Sequence, residues 1–243
     1  MWEALAWGLF AGSSLILGGV IALVLPIRER LLGLIMAFGA GVLISAVAYE
    51  LVAEAFETSA GNGSLALGLT AGALTFFVGD LVVDRMGGDG RKKMHRTAGA
   101  GSALAIVLGI VLDGIPESAV IGLGLLEGTG VSVAVIAAVF LSNLPEAIAA
   151  TTGLVADGWR RGKILGLWVA VTLVCGLASL LGYAVFDSAG PSALAFVLAF
   201  AGGAILTMLA DTMMPEAFEH GGKLVGLLTT LGFGLAFALT MLE

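Results

Sequence analysis

Two stretches of this sequence resemble each other and determine how the chain is organised. Residues 37–57 read AFGAGVLISAVAYELVAEAFE, and residues 199–219 read AFAGGAILTMLADTMMPEAFE. Aligned without a gap, 8 of 21 positions are identical, and both stretches end in Glu-Ala-Phe-Glu. Alanine- and glycine-rich segments often match by chance, but the shared tetrapeptide argues against chance. The sequence therefore predicts an internal repeat.

The composition places both stretches in a membrane protein. The 243 residues are 59% hydrophobic and 12% charged, and the mean hydropathy is +1.07. Because soluble domains carry about 25% charged residues, this chain cannot cover a water-facing surface. The single cysteine excludes an intrachain disulfide, and a net charge of −7 without a basic domain argues against nucleic acid as a partner. The first apolar stretch lacks a basic leader and is too long for a signal peptide, so we expect it to remain as a span.

Apolar runs and the breaks between them predict eight transmembrane helices. The expected spans are Trp2–Leu25, Leu31–Phe56, Leu65–Val83, Ser102–Leu126, Val131–Leu154, Ile164–Phe186, Ser192–Met214 and Leu224–Leu242. The longest polar connection, Asp84–Ala98, contains three glycines and a basic run, and we expect a flexible cytoplasmic loop there. Residues 1–243 then form a single all-α transmembrane domain.

The basic residues give the orientation of these spans. All 11 lysines and arginines fall in the loops after spans 1, 3, 5 and 7. Basic loops face the cytoplasm, so both termini are expected outside the cell membrane. Spans 2 and 7, which carry the repeat, then run in opposite directions. The expected arrangement is three, two and three helices, with helices 1–3 and 6–8 forming an inverted repeat of the kind typical of secondary transporters.

The two central spans carry acidic residues at bilayer depth, in the motifs DGIPESA (113–119) and SNLPEAI (142–148). Asp113 and Glu117 share a helix face, Ser142 and Glu146 share another, and Asn143 is three residues before Glu146. A charge at the bilayer centre costs about 3 kcal/mol or more, so such residues line a cavity or a bundle interior. Each proline frees a nearby backbone carbonyl. No span contains lysine or arginine, so a bound cation is the expected partner; the alternative is protonated carboxyls hydrogen-bonded between helices.

Further polar residues lie nearer the ends of the spans. We expect them to form an entrance and an exit for a cation, although each alone is equally consistent with an ordinary solvated residue. This group comprises Glu50, Glu54, Asp80, Asp211, Glu216 and His220.

At the two Pro-Glu motifs the sequence resembles the ZIP family of divalent-metal transporters, and the resemblance covers essentially the whole chain. The family pattern in spans 4 and 5 is close to His-Asn-x-Pro-Glu-Gly. The resemblance implies a binuclear site bridged by Glu117 and Glu146, an elevator-like movement and a homodimer in the lipid bilayer. Asp113 and Ser142 stand where the family has histidine. Cys175 stands where many bacterial members have a glutamate in span 6, although a small apolar packing role is the alternative for this residue.

These departures bear on which metal is carried. By the resemblance, Asp113, Glu117, Ser142 and Glu146 form one half of the site, and Asn143 with Cys175 remains of the other half. The loss of imidazole leaves mostly oxygen ligands, which favour Mn²⁺ or Fe²⁺ over Zn²⁺. Zinc, manganese, iron, cadmium and cobalt are candidate substrates, and no resident cofactor is expected.

Three other functions are weighed against this one. An intramembrane enzyme is disfavoured because the spans contain neither a serine–histidine pair nor a His-Glu-x-x-His motif, and Phe77 replaces the glycine that aspartyl intramembrane proteases have before Gly79-Asp80. A relative that has lost metal transport is a second alternative. A carrier of a small organic cation is the third, but no aromatic residue lies next to the Pro-Glu motifs.

Overall fold

The computed structural model describes residues 1–59, 61, 63–88, 102–127 and 132–242, and every regular element among them is helical. Helix α1 is Trp2–Val24, α2 is Glu29–Ser59, and α3 is Ser64–Val83, which continues as π-helical turns at Asp84–Gly88. Helix α4 is Ser102–Gly124, α5 is Val133–Ala156, and α6 is Arg161–Phe186. Helix α7 joins Pro191–Met208, Leu209–Met213 and Met214–Gly221, and α8 is Val225–Thr240.

Six helical segments among the described residues are long and apolar enough to cross a membrane, which is compatible with a membrane-embedded protein. They are Trp2–Val24, Glu29–Ser59, Ser64–Met86, Val133–Ala156, Arg161–Phe186 and Pro191–Thr240. The last segment spans 50 residues and contains a reversal of the chain. Its first helix ends because Gly222 adopts φ 64° and ψ −147°, a conformation open to glycine and unfavourable for other residues.

Local sequence explains most helix ends. Ser132 caps α5 by accepting a hydrogen bond from the backbone of Val135, and Pro191 opens α7, where its missing N–H costs nothing. Gly158 at φ 78° ends the turn after α5.

One boundary differs from the sequence-based expectation. The chain remains helical through Asp84–Gly88, so the expected loop at 84–98 does not begin at Asp84; residues 89–98 lie outside the described part of the chain.

The helices pack as two groups of four. The first group contains α1, α4, α5 and α6, and the second contains α2, α3, α7 and α8. Glycines allow the closest approaches within each group: Gly8 of α1 lies against Ser179 of α6, and Gly68 of α3 lies against Phe196 of α7. The main contact between the groups is α2 against α5. A continuous apolar core follows this contact, with Met36, Leu43, Val139 and Met208 fully buried.

The two repeated stretches have the same unusual backbone. Helix α2 turns π-helical at Val47–Val52, and α7 does so at Leu209–Met213, which is the equivalent place in the alignment of 37–57 with 199–219. Helix α7 runs antiparallel to α2, because Gly33 near the start of α2 contacts Gly221 while Val52 contacts Gly202. The repeat is therefore visible in backbone geometry as well as in sequence.

Candidate functional site

The two Pro-Glu motifs meet inside the bundle. Helices α4 and α5 both continue through their prolines, Pro116 and Pro145. The Ser142 hydroxyl lies 3.1 Å and 3.2 Å from the two carboxylate oxygens of Glu117, and it also lies 3.1 Å from the carbonyl oxygen of Val139. The hydroxyl therefore links α5 directly to the acidic face of α4.

Every motif residue singled out from the sequence is buried around this contact. Their exposed fractions are at most 1%, for Asp113, Glu117, Ser142, Asn143 and Glu146. The Nδ2 atom of Asn143 is buried and makes no hydrogen bond to any described residue. Rotation of the side-chain amide by about 180° would place its oxygen, a hydrogen-bond acceptor, at this position instead. The site thus offers carboxylate, hydroxyl and amide groups within an apolar bundle.

Helix α6 brings Cys175 to the same place. The thiol is 1% exposed, lies beside Ser118, and is within electrostatic reach of the Glu117 and Glu146 carboxylates. A Cβ atom at Gly114 would lie 3.3 Å from its sulfur, so glycine at 114 leaves room for the thiol against α4. Sequence reasoning missed Ser118, although its position directly after the Pro-Glu pair was the available signal.

The arrangement is not a compact cage of metal ligands. Within the described residues, no three His, Cys, Asp or Glu side chains stand together closely enough to hold a metal ion. One carbonyl that the prolines were expected to free also points elsewhere: the Leu141 oxygen lies 3.1 Å from the Cβ position of Gly39, against α2. Simultaneous binding of one ion by Asp113, Glu117 and Glu146 therefore requires these side chains to move together.

A small apolar cavity of about 10 Å³, close to the space that one water molecule needs, adjoins the site. It lies between α2, α4, α5 and α7, at the contact between the two helix groups. Glu117 is its one acidic lining residue, and the remaining lining is apolar: Leu43, Ala46, Val47, Leu51, Val120, Val135, Ala138, Val139 and Ile205. The Glu117 carboxylate thus borders both the motif cluster and an apolar space that ends at the π-helical segment of α2.

The acids expected at an entrance lie outside this cavity lining. Glu50 accepts a hydrogen bond from Thr240 of α8 at 2.8 Å, and Glu54 accepts one from Thr58 at 3.0 Å. Glu50 therefore joins α2 to α8 within one helix group, and its carboxylate is held at that contact.

The acids expected at an exit are more scattered. Asp80 is partly buried on α3, Asp211 is exposed on the π-helical segment of α7, and Glu216 is buried. His220 Nδ1 lies 3.6 Å from Glu29 Oε2, which joins the end of α7 to the start of α2. Sequence reasoning missed Glu29, because nothing local indicates a partner 191 residues away.

Comparison with known proteins gives no assignment: no family model matches the chain, and no curated protein matches it. In the part of the chain that the structure describes, the fold and the site define a helical protein with apolar helices of membrane-spanning length and buried carboxylates on two adjacent Pro-Glu helices.

Proposed function

We propose that this protein carries divalent metal cations across the cell membrane by alternating access. In this proposal the chain crosses the membrane eight times. The reversal at Gly222 divides Pro191–Thr240 into two crossings, and Ser102–Gly124 supplies one more. The three-two-three order with an inverted repeat and both termini outside is the arrangement that we propose; the antiparallel α2 and α7 and the distribution of basic loops support it.

One observation carries the proposal: the Ser142 hydroxyl joins the Glu117 carboxylate where two Pro-Glu helices meet in an apolar bundle. The Glu117 and Glu146 carboxylates are buried, and neither α4 nor α5 contains a lysine or arginine. Buried carboxylates in an apolar surrounding take up either protons or a metal ion. Because a metal displaces those protons, the same cluster can load and release a cation as its surroundings change.

The side chains at the site include both oxygen and sulfur ligands, which prefer different metal ions. Asp113, Glu117, Glu146 and Asn143 supply oxygen, which suits Mn²⁺ and Fe²⁺. The Cys175 thiol beside α4 adds a soft sulfur donor, which suits Zn²⁺, Cd²⁺ and Co²⁺. The metal is a substrate, and the chain needs no resident cofactor and no enzymatic step for this role.

The division into two helix groups suits a carrier. The motif helices α4 and α5 belong to one group, and the small apolar cavity beside Glu117 lies where they meet α2 and α7 of the other. A displacement of the first group along the second, in the manner of an elevator, would carry the site from one side of the bilayer to the other. We expect two copies to associate as a homodimer within the lipid.

The test is metal uptake into liposomes that contain the purified protein, with Mn²⁺, Fe²⁺, Zn²⁺, Cd²⁺, Co²⁺ and Mg²⁺ measured separately. We expect at least one ion to enter, and a Glu117→Gln/Glu146→Gln double variant to abolish its uptake. Glu3→Gln, at the exposed start of α1, is the matched control and should leave uptake unchanged. The transported ion should also raise the melting temperature of the wild-type protein, since a ligand at 100 times its Kd stabilises by about 2.7 kcal/mol.

A second function is favoured by one observation, the lack of a preformed trio of ligands among the described residues. In this alternative the chain is a ZIP-like membrane protein that no longer transports metal or that carries another small cation. The same experiment separates the two. If none of the six ions enters the liposomes and none shifts the melting temperature, the acidic cluster is structural or serves a different substrate.

A further inference from the structure

The π-helical segments Val47–Val52 and Leu209–Met213 share their position but not their sequence. Only one residue is identical when they are aligned, Ala48 with Ala210. Burial nevertheless follows the same order: Val47 and Leu209 are buried, Ala48 and Ala210 are exposed, and the residues three positions further on are buried. Such different residues have no common local preference for a rare backbone. The geometry is therefore imposed by the place that each segment occupies in the fold.

Beyond each π segment, the helix ends in a short piece that packs on the other repeat. Ala53–Ser59, after the first segment, packs on Pro191–Met208 of α7. Met214–Gly221, after the second segment, packs on the Glu29–Ala46 part of α2. The two pieces lie at opposite ends of the antiparallel pair. Each end of the pair is thus covered by a piece that joins its own helix through a π segment.

The two π segments also contact the Pro-Glu region from different directions. Val47 and Leu51 line the cavity that borders Glu117. On the other side, the Met213 methyl group lies 3.4 Å from the Cβ position of Gly39, which itself lies 3.1 Å from the Leu141 carbonyl oxygen. A bend at either segment therefore changes the packing directly against α4 or α5.

We propose that the two π segments are a matched pair of hinges, one for each side of the site. Bending at Val47–Val52 opens the cavity next to Glu117, and bending at Leu209–Met213 opens the opposite side near Leu141. π-helical turns are rare, occur frequently at functional sites and are among the few places where helices kink sharply, which suits them to bending. The inference deepens the proposed function, on which its link to transport rests; the hinge motion itself is measurable without any metal.

The test removes one residue from a π segment. A π turn holds one residue more than the α turn it replaces, so deletion of Ala48 or of Ala210 should restore a regular helix while the flanking residues keep their faces. Deletion of Ala170, in the regular part of α6, is the control. It rotates all later residues of that helix by about 100° and should disrupt packing.

The readout is the labelling of a cysteine placed in the cavity by Val139→Cys, in a Cys175→Ser background, with a membrane-impermeant thiol reagent added from outside. We expect deletion of Ala48 to slow this labelling by about tenfold or more, because the open population is reduced. Deletion of Ala210 should leave this labelling unchanged. Each deletion alone should stop metal uptake, while the melting temperature is retained.

Several outcomes would overturn the hinge proposal. Unchanged labelling after deletion of Ala48 would show that its π segment does not open the cavity. An equal effect of both deletions on labelling would show that the segments do not serve separate sides. Loss of folding on deletion of Ala48 or Ala210, as for Ala170, would contradict the register argument. If labelling follows the prediction but no variant or wild-type protein moves metal, the hinges stand and the metal-carrier proposal fails.

Discussion

The contact between α4 and α6 should tolerate no added methyl group at Gly182. A Cβ atom there would lie 2.6 Å from the carbonyl oxygen of Ala119, and Cβ contacts shorter than 3.0 Å are essentially never found. The two backbones must therefore separate by about 0.4 Å or more, in an interior that is already close-packed. Overpacking of this kind costs about 1–3 kcal/mol. Because Ala119 follows the Glu117–Ser118 pair, the separation also displaces the site.

Gly166 on the same helix is the matched control, since no atom lies within 4 Å of its Cβ position. Both Gly→Ala changes gain about 0.8–1 kcal/mol of helix propensity. The difference in stability between the two variants therefore reports only the contact of the new Cβ atom at position 182 with the Ala119 carbonyl. At about 2–4 °C per kcal/mol for a chain of this size, Gly182→Ala should melt roughly 2–12 °C below Gly166→Ala in thermal unfolding of the purified protein. Equal melting temperatures for the two variants would refute the close approach of α4 and α6.

Two further predictions concern the first helix group. Trp168→Phe removes the 2.8 Å hydrogen bond from the indole nitrogen to Thr151 Oγ1, and loss of this buried bond should lower the free energy of unfolding by about 1–3 kcal/mol. An unchanged melting temperature, with Trp159→Phe measured as the control, would contradict that value. Asp113→His adds an imidazole to the site and should shift competition in the uptake assay toward Zn²⁺. A competition profile identical to that of the wild-type protein would show that Asp113 is not a ligand.

Much of the helical framework is readable from the sequence because apolar runs and helix-breaking residues are local signals. Pro191 opens α7 and Gly158 ends the turn after α5, close to the boundaries expected from composition. The burial of Glu117 and Glu146 was predictable for a related reason. A carboxylate within a long apolar run either lies inside a bundle or costs several kcal/mol in lipid.

The remaining features depend on contacts between distant parts of the chain. The π-helical turns at Val47–Val52 and Leu209–Met213 have no shared local sequence that could announce them. The Leu141 carbonyl faces Gly39, and Glu50 bonds Thr240, because helices from separate regions approach at those points. Hydrophobic periodicity predicts that a residue is buried, but it does not identify the residue that buries it.

The pairing of the first helices with the last ones has a consequence for biosynthesis. The Ser179 hydroxyl donates to the carbonyl of Ala4, and the Thr172 hydroxyl donates to that of Gly12, over separations of 175 and 160 residues. At roughly 5–20 residues per second, a ribosome needs about 8–35 s to make the intervening chain. During that interval α1 lacks its partner α6, and α2 lacks α7 for a comparable time. A ribosome that stalls before residue 161 therefore releases a product in which Gly8 and Gly12 of α1 are not covered by α6. If the chain lies in a membrane, as we propose, these glycines then face lipid, and quality control acts on the protein in that state.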